Sequence, residues 1–247
     1  MGPSEKDATV YQRYIKRILD FFISLIALII LSPLLLLLVI LGAVKLGGNP
    51  FFTQLRPGKI DPRTGEERIF KLIKLRTMTN EKDASGNLLP DDVRLVPYGK
   101  WLRSTSLDEL FELVNILKGD MAIIGPRPQL VRDMVFMTDE QRKRHLVRPG
   151  LSGLAQVRGR NAISWDGKLA TDLEYISHIS FPGDLKIVWM TIRSVLKREG
   201  VTMEGMETAM DFGDVLLMEG RVSKEEYDRK QEEARKLIEE YNRSKGR

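Results

Sequence analysis

Residues 18–44 form one long apolar run, and from Phe21 to Val44 its only polar side chains are Ser24 and Ser32. About 20 apolar residues are enough to cross the hydrocarbon core of a bilayer. The chain is therefore membrane-bound, and the hydrophilic remainder of the 247 residues is sized for one domain with its own core. Ser32-Pro33 interrupts the run at its middle. A proline inside a helix removes one backbone hydrogen bond and crowds the preceding turn, so it kinks the helix. Arg13, Lys16 and Arg17 precede the run, while Lys45, Arg56 and Lys59 follow it, so positive charge favours neither end. Both features predict a helix that enters the cytoplasmic leaflet, bends at Ser32-Pro33 and returns to the same face. A straight single-pass anchor with a tolerated proline is the competing reading. The run is too long for a signal peptide, and Lys45-Leu46-Gly47-Gly48 is a poor cleavage site, so the segment is expected to be retained.

Composition narrows the partners. Cysteine is absent, which excludes disulfides, thiolate metal sites and cysteine catalysis and suits a reducing compartment. The net charge of +5 is spread along the chain. Beside an apolar anchor, it points to anionic lipid headgroups and phosphorylated substrates rather than to nucleic acid.

After the Gly47-Gly48-Asn49-Pro50 breaker, Phe51–Gln54 reads as a short strand ending at Arg56-Pro57-Gly58-Lys59. Asp61–Glu66 is a turn, and Ile69–Arg76 alternates as a second strand, so the pair predicts a hairpin. Residues 79–92 read as a polar loop. From Ser106 the period changes: Leu107, Leu110, Phe111, Val114 and Leu117 predict an amphipathic helix ending at Lys118-Gly119. Gly125-Pro126-Arg127-Pro128 is a rigid turn, 129–146 reads as helix, and Arg148-Pro149-Gly150 opens a loop. Asp184–Glu199 predicts a helix with Leu185, Val188, Trp189, Ile192, Val195 and Leu196 opposite Lys186, Arg193 and Lys197. Such a face suits either the headgroup plane or ordinary packing on the core. Ser223-Lys224-Glu225-Glu226 is a capping box for a charged terminal helix whose thin stripe, Ala234, Leu237, Ile238 and Tyr241, would suit a homo-oligomer contact.

The common catalytic signatures, Gly-x-Gly-x-x-Gly, the P-loop and His-Glu-x-x-His, are missing, and His145 and His178 stand alone as surface or packing residues. Carboxylates and cations remain. Their densest stretch is Arg103-Ser104-Thr105-Ser106-Leu107-Asp108-Glu109-Leu110. One reading is structural: Ser106 and Glu109 form a capping box, where the helix dipole favours acids. The other is functional. A helix N-terminus would lower the pKa of Asp108 and keep it ionised, the amides and Arg103 would hold a phosphate, and the carboxylate would hold Mg²⁺ or attack phosphorus. Arg56, Lys59, Lys74, Arg76, Arg127, Arg148, Arg158 and Arg160 recur beside Gly or Pro turns and, as a set, suggest pyrophosphate recognition.

Several strings then resemble one family. They are Arg103-Ser-Thr-Ser-Leu-Asp-Glu-Leu, Asn115-Ile-Leu-Lys-Gly-Asp-Met, Gly125-Pro-Arg-Pro, Gln54-Leu-Arg-Pro-Gly and Phe70-Lys-Leu-Ile-Lys-Leu-Arg-Thr-Met. Arg148-Pro-Gly-Leu-Ser-Gly-Leu-Ala-Gln-Val-Arg-Gly-Arg and Ser180-Phe-Pro-Gly-Asp-Leu-Lys-Ile complete the set. In this order, behind an apolar Ser-Pro helix, they are similar to the bacterial sugar transferases, small monotopic phosphoglycosyl transferases that load sugar-1-phosphate onto polyprenyl phosphate.

The resemblance implies that Asp108 is the nucleophile of an Asp-Glu dyad. It would attack the sugar-linked phosphorus of a UDP-sugar to give a phosphosugar-enzyme and UMP, with Glu109 as partner and Mg²⁺ neutralising the diphosphate beside Asp108. Lys74 and Arg103 match phosphate-binding cations, Arg127 a nucleotide-linked turn, and Ser32-Pro33 the re-entrant break. Gly159–Trp165 most resembles members acting on N-acetylated amino sugars. The acceptor would be undecaprenyl phosphate, met at the cytoplasmic face of the bacterial inner membrane.

The expected fold is α+β and helix-dominated: a re-entrant membrane helix and a small cytosolic domain with a short β-hairpin and amphipathic interfacial helices. Its expected parts are a basic lead 1–17, the membrane helix 18–45, the catalytic domain 46–212 and a charged helical tail 213–247. The rival from another class is a non-catalytic membrane scaffold binding anionic lipid through its basic face.

Overall fold

The computed structural model describes residues 9–159, 163–197 and 210–245. A π-helical lead, Tyr11–Ile15, runs into α1 (Lys16–Lys45), which stays helical through Pro33. No interruption occurs at Ser32-Pro33. The reason is local: Pro33 has no N–H to give to the carbonyl of Ile29, and the Ser32 hydroxyl donates to that carbonyl instead, at 2.8 Å.

One stripe of α1 is buried (Asp20, Ser24, Leu35, Leu38 and Gly42), while Ile18, Phe22, Ile30, Leu36, Ile40 and Val44 are among those exposed. Both ends are fixed to the same body. At one end Arg17 donates to the carbonyls of Ile116 and Leu117 at 2.6 and 2.9 Å, Lys16 pairs with Asp184, and Asp20 accepts from the Ile123 amide. At the other, the Tyr98 hydroxyl donates to the Leu38 carbonyl at 2.8 Å. Between them Ala27, Leu28 and Leu31 pack on the Phe70, Leu72, Leu113, Ile116 and Met121 core. The helix lies along the globular part instead of projecting from it.

β1 (Phe51–Ile60) pairs antiparallel with β2 (Glu67–Leu75), from Phe51↔Leu75 to Pro57↔Ile69, with a register shift between Pro57 and Ile60. The first strand is longer than its sequence suggests, because it passes through Pro57-Gly58. A side chain at Gly58 would meet the Arg68 carbonyl at 2.8 Å, so glycine lets the partner strand close in. A short α2 (Asp91–Arg94) and α3 (Pro97–Thr105) follow. The helix expected from Ser106 is split into a 3₁₀ turn, Leu107–Phe111, and α4 (Glu112–Lys118), which Gly119 ends in left-handed geometry.

A second sheet was not legible beforehand: β3 (Ala122–Ile124) runs parallel to β4 (Gly150–Ser152) where a loop was expected. The strands approach so closely that a Cβ on Gly150 would fall 2.1 Å from the Gly125 nitrogen. Between them, the single helix expected over 129–146 is broken into α5 (Val131–Met134), α6 (Asp139–Arg142) and a 3₁₀ turn, Lys143–Leu146. Thr138 and Gln141 form a capping box that starts α6 afresh.

α7 (Leu154–Arg158), α8 (Trp165–Ser177) and α9 (Phe181–Lys197) complete the body. α9 buries Asp184 and Ile187 and packs Val188 beside them, but leaves Leu185, Trp189, Ile192 and Val195 exposed, so most of its apolar face lies off the core. α10 (Phe212–Met218) buries Phe212 and Leu216 against Met137 and Leu169. The stripe of α11 (Lys224–Lys245) packs on the chain's own body, with Ala234, Leu237 and Ile238 against Val131, Met134 and Val135. The architecture is helix-dominated, with two small two-stranded sheets among the described residues.

Candidate active site

α3 ends at Thr105, and Ser106 turns the chain with φ 56°, the only positive φ outside glycine among the described residues. A non-glycine residue there costs of order 1 kcal/mol, and such strain collects at functional sites. The Ser106 carbonyl accepts from the Glu109 amide at 3.3 Å, but its side chain caps nothing. The capping-box reading of Ser106 and Glu109 therefore fails. The turn instead throws the two acids of Asp108-Glu109 into separate environments.

Glu109 is clamped. Its Oε1 accepts from Lys74 Nζ at 2.7 Å and from Arg127 Nη2 at 2.6 Å. Lys74 comes from β2 and Arg127 from the Pro-Arg-Pro turn after β3, so three distant segments meet on one oxygen. Burial would raise the Glu109 pKa, but Arg127 and Lys74 outweigh it and hold the group well below the usual carboxylate range. Lys74 reaches a second buried acid, Glu112 Oε1, at 3.0 Å. Burial, aided by Glu109 and opposed by Lys74, raises Glu112 to about 7.

Asp108 has no hydrogen bond or ion pair among the described residues. Burial and then the Glu109 charge raise its pKa to about 6, against the pull of Lys74, Arg103 and Arg127. This reverses the expected lowering by a helix N-terminus. The turn is a five-residue 3₁₀ segment, too short for a strong dipole, and desolvation dominates. Above pH 6 the group is still mostly ionised. It is an uncompensated carboxylate beside a compensated one, which is what a nucleophile or a metal ligand requires.

The other expected site residues divide. Arg103 Nε donates to Thr77 Oγ1 at 3.1 Å, and its charge acts on Asp108. Arg76 follows β2, its guanidinium 3.6 Å from where a side chain on Gly48 would begin. Arg56 braces the Arg127 turn by donating to the Pro128 carbonyl at 3.1 Å. Lys59 is not brought to the site: it lies seven residues along β1 from the Phe52↔Lys74 pair, about 20 Å of strand. Arg148 donates to the Gly119 carbonyl, a packing role, and Arg158 forms an exposed pair with Glu174. Arg160 lies outside the described residues.

Sequence reasoning missed Glu112 and a buried layer behind Arg127. Arg144, 1% exposed, donates from Nη2 to the Arg127 carbonyl at 2.6 Å and from Nε and Nη2 to Asp172 at 2.9 and 2.7 Å. Its Nη1 faces His145 Nε2 at 3.2 Å, and His145 Nδ1 faces Glu67 at 3.0 Å. An arginine only donates, so Nε2 must accept and Nδ1 must carry the proton. Nothing in the Lys143-Arg144-His145 run signals burial. Glu112, by contrast, recurs at helical spacing from Asp108 and Glu109, a signal that was available.

The family model described as bacterial sugar transferase matches residues 11–198. The uncharacterized sugar transferase EpsL of Bacillus subtilis is 43% identical over 204 residues, covering 81% of this chain and 98% of that protein. An undecaprenyl-phosphate galactose phosphotransferase of Salmonella typhimurium is 31% identical over 205 residues, 76% of this chain and 42% of that protein. A UDP-N-acetylgalactosamine-undecaprenyl-phosphate N-acetylgalactosaminephosphotransferase of Aeromonas hydrophila is 36% identical over 192 residues, 74% of this chain and 44% of that protein. The matched region contains the membrane helix, both sheets, the Asp108-Glu109 turn and the cations around it. With that match over most of its length, the chain belongs to the bacterial sugar transferase family and is a transferase.

Proposed function

We propose that the protein transfers sugar-1-phosphate from a UDP-sugar to undecaprenyl phosphate through a phosphosugar intermediate on Asp108. The observation that carries this reading is the contrast within the dyad: Glu109 is held by Lys74 and Arg127, while Asp108 beside it has no hydrogen-bond or ion-pair partner among the described residues. In the first step a carboxylate oxygen of Asp108 attacks the sugar-linked phosphorus, and the bond from that phosphorus to the bridging oxygen breaks. UMP leaves with the electron pair. In the second, a phosphate oxygen of the lipid attacks the same phosphorus, and the Asp108 carboxylate leaves. Lys74, Arg103 and Arg127 offset the diphosphate charge. Glu109 keeps two of those cations oriented.

Mg²⁺ fits the donor set. It is commonly held by one or two carboxylates with substrate phosphates and water, and Asp108 offers a carboxylate whose oxygens are not committed. When bound, Mg²⁺ would neutralise the diphosphate beside Asp108.

The donor is an N-acetylated amino sugar. The Aeromonas relative's name and the Gly159–Trp165 string support it, although residues 160–162 of that string lie outside the described residues. The membrane helix is re-entrant. Support comes from its packing, because Arg17 at one end and Leu38 at the other are bound to one body. In this reading the active site lies flush with the cytoplasmic surface of the bacterial inner membrane, where a lipid phosphate resides. A panel of UDP-sugars, assayed for UMP release without acceptor, tests the reading. One donor should release about one UMP per enzyme, whereas a lipid-binding scaffold would release none with any donor.

A further inference from the structure

A groove of about 500 Å³ runs between the C-terminal end of α1 and the start of α3, lined by Leu41, Lys45, Val96, Pro97, Tyr98 and Trp101. We propose that this groove holds the isoprenoid chain of the polyprenyl phosphate acceptor, with Arg76 receiving its phosphate. The proposal rests on the transferase reading above and assigns a place to the acceptor.

The walls are fixed before any ligand arrives. The Tyr98 hydroxyl bonds the Leu38 carbonyl at 2.8 Å, and a side chain at Gly42 would meet Pro50 at 3.0 Å and the Tyr98 hydroxyl at 3.3 Å. Tyr98 and Trp101 lie one turn apart with ring centroids at 6.2 Å and planes tilted by 36°. Trp101 is 44% exposed, and Val44 beside the groove on α1 is 73% exposed, so the apolar lining continues onto the bilayer-facing side of α1. A groove open to hydrocarbon at that end takes an apolar chain.

The other end is cationic. Lys45 has no ion pair among the described residues. Three residues later, Gly48 lies against the Arg76 guanidinium, which also has no ion pair there, and whose Nε is buried without an acceptor. The neighbouring Thr77 accepts from Arg103 Nε at 3.1 Å, so the cations lead from the groove toward Asp108. α3 links the two ends in sequence: Trp101 on the groove and Arg103, whose charge acts on Asp108, lie on the same helix, and Asp108 stands three residues beyond its end. An amphiphile with a hydrocarbon tail and a phosphate head matches this polarity, with the head delivered to the side of the intermediate.

The test uses the full-length protein in vesicles of phosphatidylethanolamine and phosphatidylglycerol, with an undecaprenyl phosphate analogue carrying a diazirine in its chain. Cross-links should fall on peptides containing 41–45 and 96–101 and be competed by undecaprenyl phosphate but not by added phospholipid. Trp101→Ala should raise KM for undecaprenyl phosphate about tenfold while changing KM for geranyl phosphate less than about twofold. Arg76→Gln should raise KM for both acceptors. UMP release without acceptor, measured on the same samples, reports the donor step alone, so its loss in the wild-type protein would count against the transferase reading and leave the cross-links to judge the groove. Cross-links elsewhere, equal competition by phospholipid, or an unchanged ratio of the two KM values would overturn the proposal.

Discussion

Arg127 Nη2 and Glu109 Oε1 stand 2.6 Å apart, and Lys74 Nζ meets the same oxygen at 2.7 Å. One carboxylate oxygen therefore ties the Pro-Arg-Pro turn and β2 to the residue after Asp108. Remove its charge and two cations lose their common anchor.

Glu109→Gln should consequently behave unlike the loss of a cap. Leaving Lys74 and Arg127 to share a neutral amide oxygen in place of a carboxylate should cost about 1–3 kcal/mol of stability and lower turnover on the order of 100-fold. Thermal melting and UMP release measure the two effects. A loss of a few tenths of a kcal/mol with near-normal turnover would mean that Glu109 has no such role.

The layer behind Arg127 predicts a pH dependence. Burial, opposed by the Glu67 hydrogen bond and aided by the Arg144 charge, pushes His145 down to about 4. Unfolded, it titrates near 6.5, so between those values the unfolded chain holds the extra proton. The His145 contribution should be full above pH 6.5 and decline by about 3 kcal/mol as pH falls toward 4. Asp108 and Glu112, whose raised pKa values favour the folded state as they take up protons, act in the opposite direction. Glu67 adds to the loss at lower pH. Burial opposes its ionisation, but bonds from His145 and Arg142 hold it at about 2, so its contribution disappears between 4.5 and 2. Denaturant melts of the wild type and of His145→Gln across this range isolate the effect: the stability difference between the two should shrink as pH falls from 6.5 toward 4, and a difference that does not change with pH would contradict it.

How much of this was readable beforehand depended on range. The membrane run, the hairpin and α9 are local patterns of hydrophobicity, and each lies close to its expected place. The parallel β3–β4 pair was not readable, because three-residue strands such as Ala122–Ile124 are too short to show a period. The dyad was located by motif, but its electrostatics differ from the expectation: burial and then the Glu109 charge raise the pKa of Asp108, and burial does not show in a local motif. Arg144 was invisible for the same reason. Its neighbours Asp172 and Arg127 are 28 and 17 residues away.

Topology can be tested because the chain lacks cysteine. Single cysteines at Thr9 and Gly65 flank α1 on either side. A re-entrant helix leaves both unlabelled by an impermeant reagent in spheroplasts and both labelled in inverted vesicles. Labelling of the Thr9 site from outside would establish a spanning helix. Replacing Ser32-Pro33 with Leu-Leu should favour spanning.

Metal removal should stop the reaction. A carboxylate approaching a diphosphate needs more counter-charge than Lys74, Arg103 and Arg127 provide while two of them hold Glu109. UMP release should vanish in EDTA and return with Mg²⁺, and Asp108→Asn should weaken Mg²⁺ binding measured by calorimetry with a UDP-sugar present. Full turnover in EDTA would refute the requirement.

The central claim is that Asp108 becomes covalently bonded to phosphorus. Intact-protein mass spectrometry, after mixing the enzyme with its UDP-sugar and no acceptor, tests this most directly. The account predicts a sugar-phosphate adduct that maps to Asp108, is absent in Asp108→Asn although that variant keeps its melting temperature within a few degrees (about 1 kcal/mol or less), and is discharged by undecaprenyl phosphate. Wild-type turnover in Asp108→Asn, or an adduct on another residue, would contradict it.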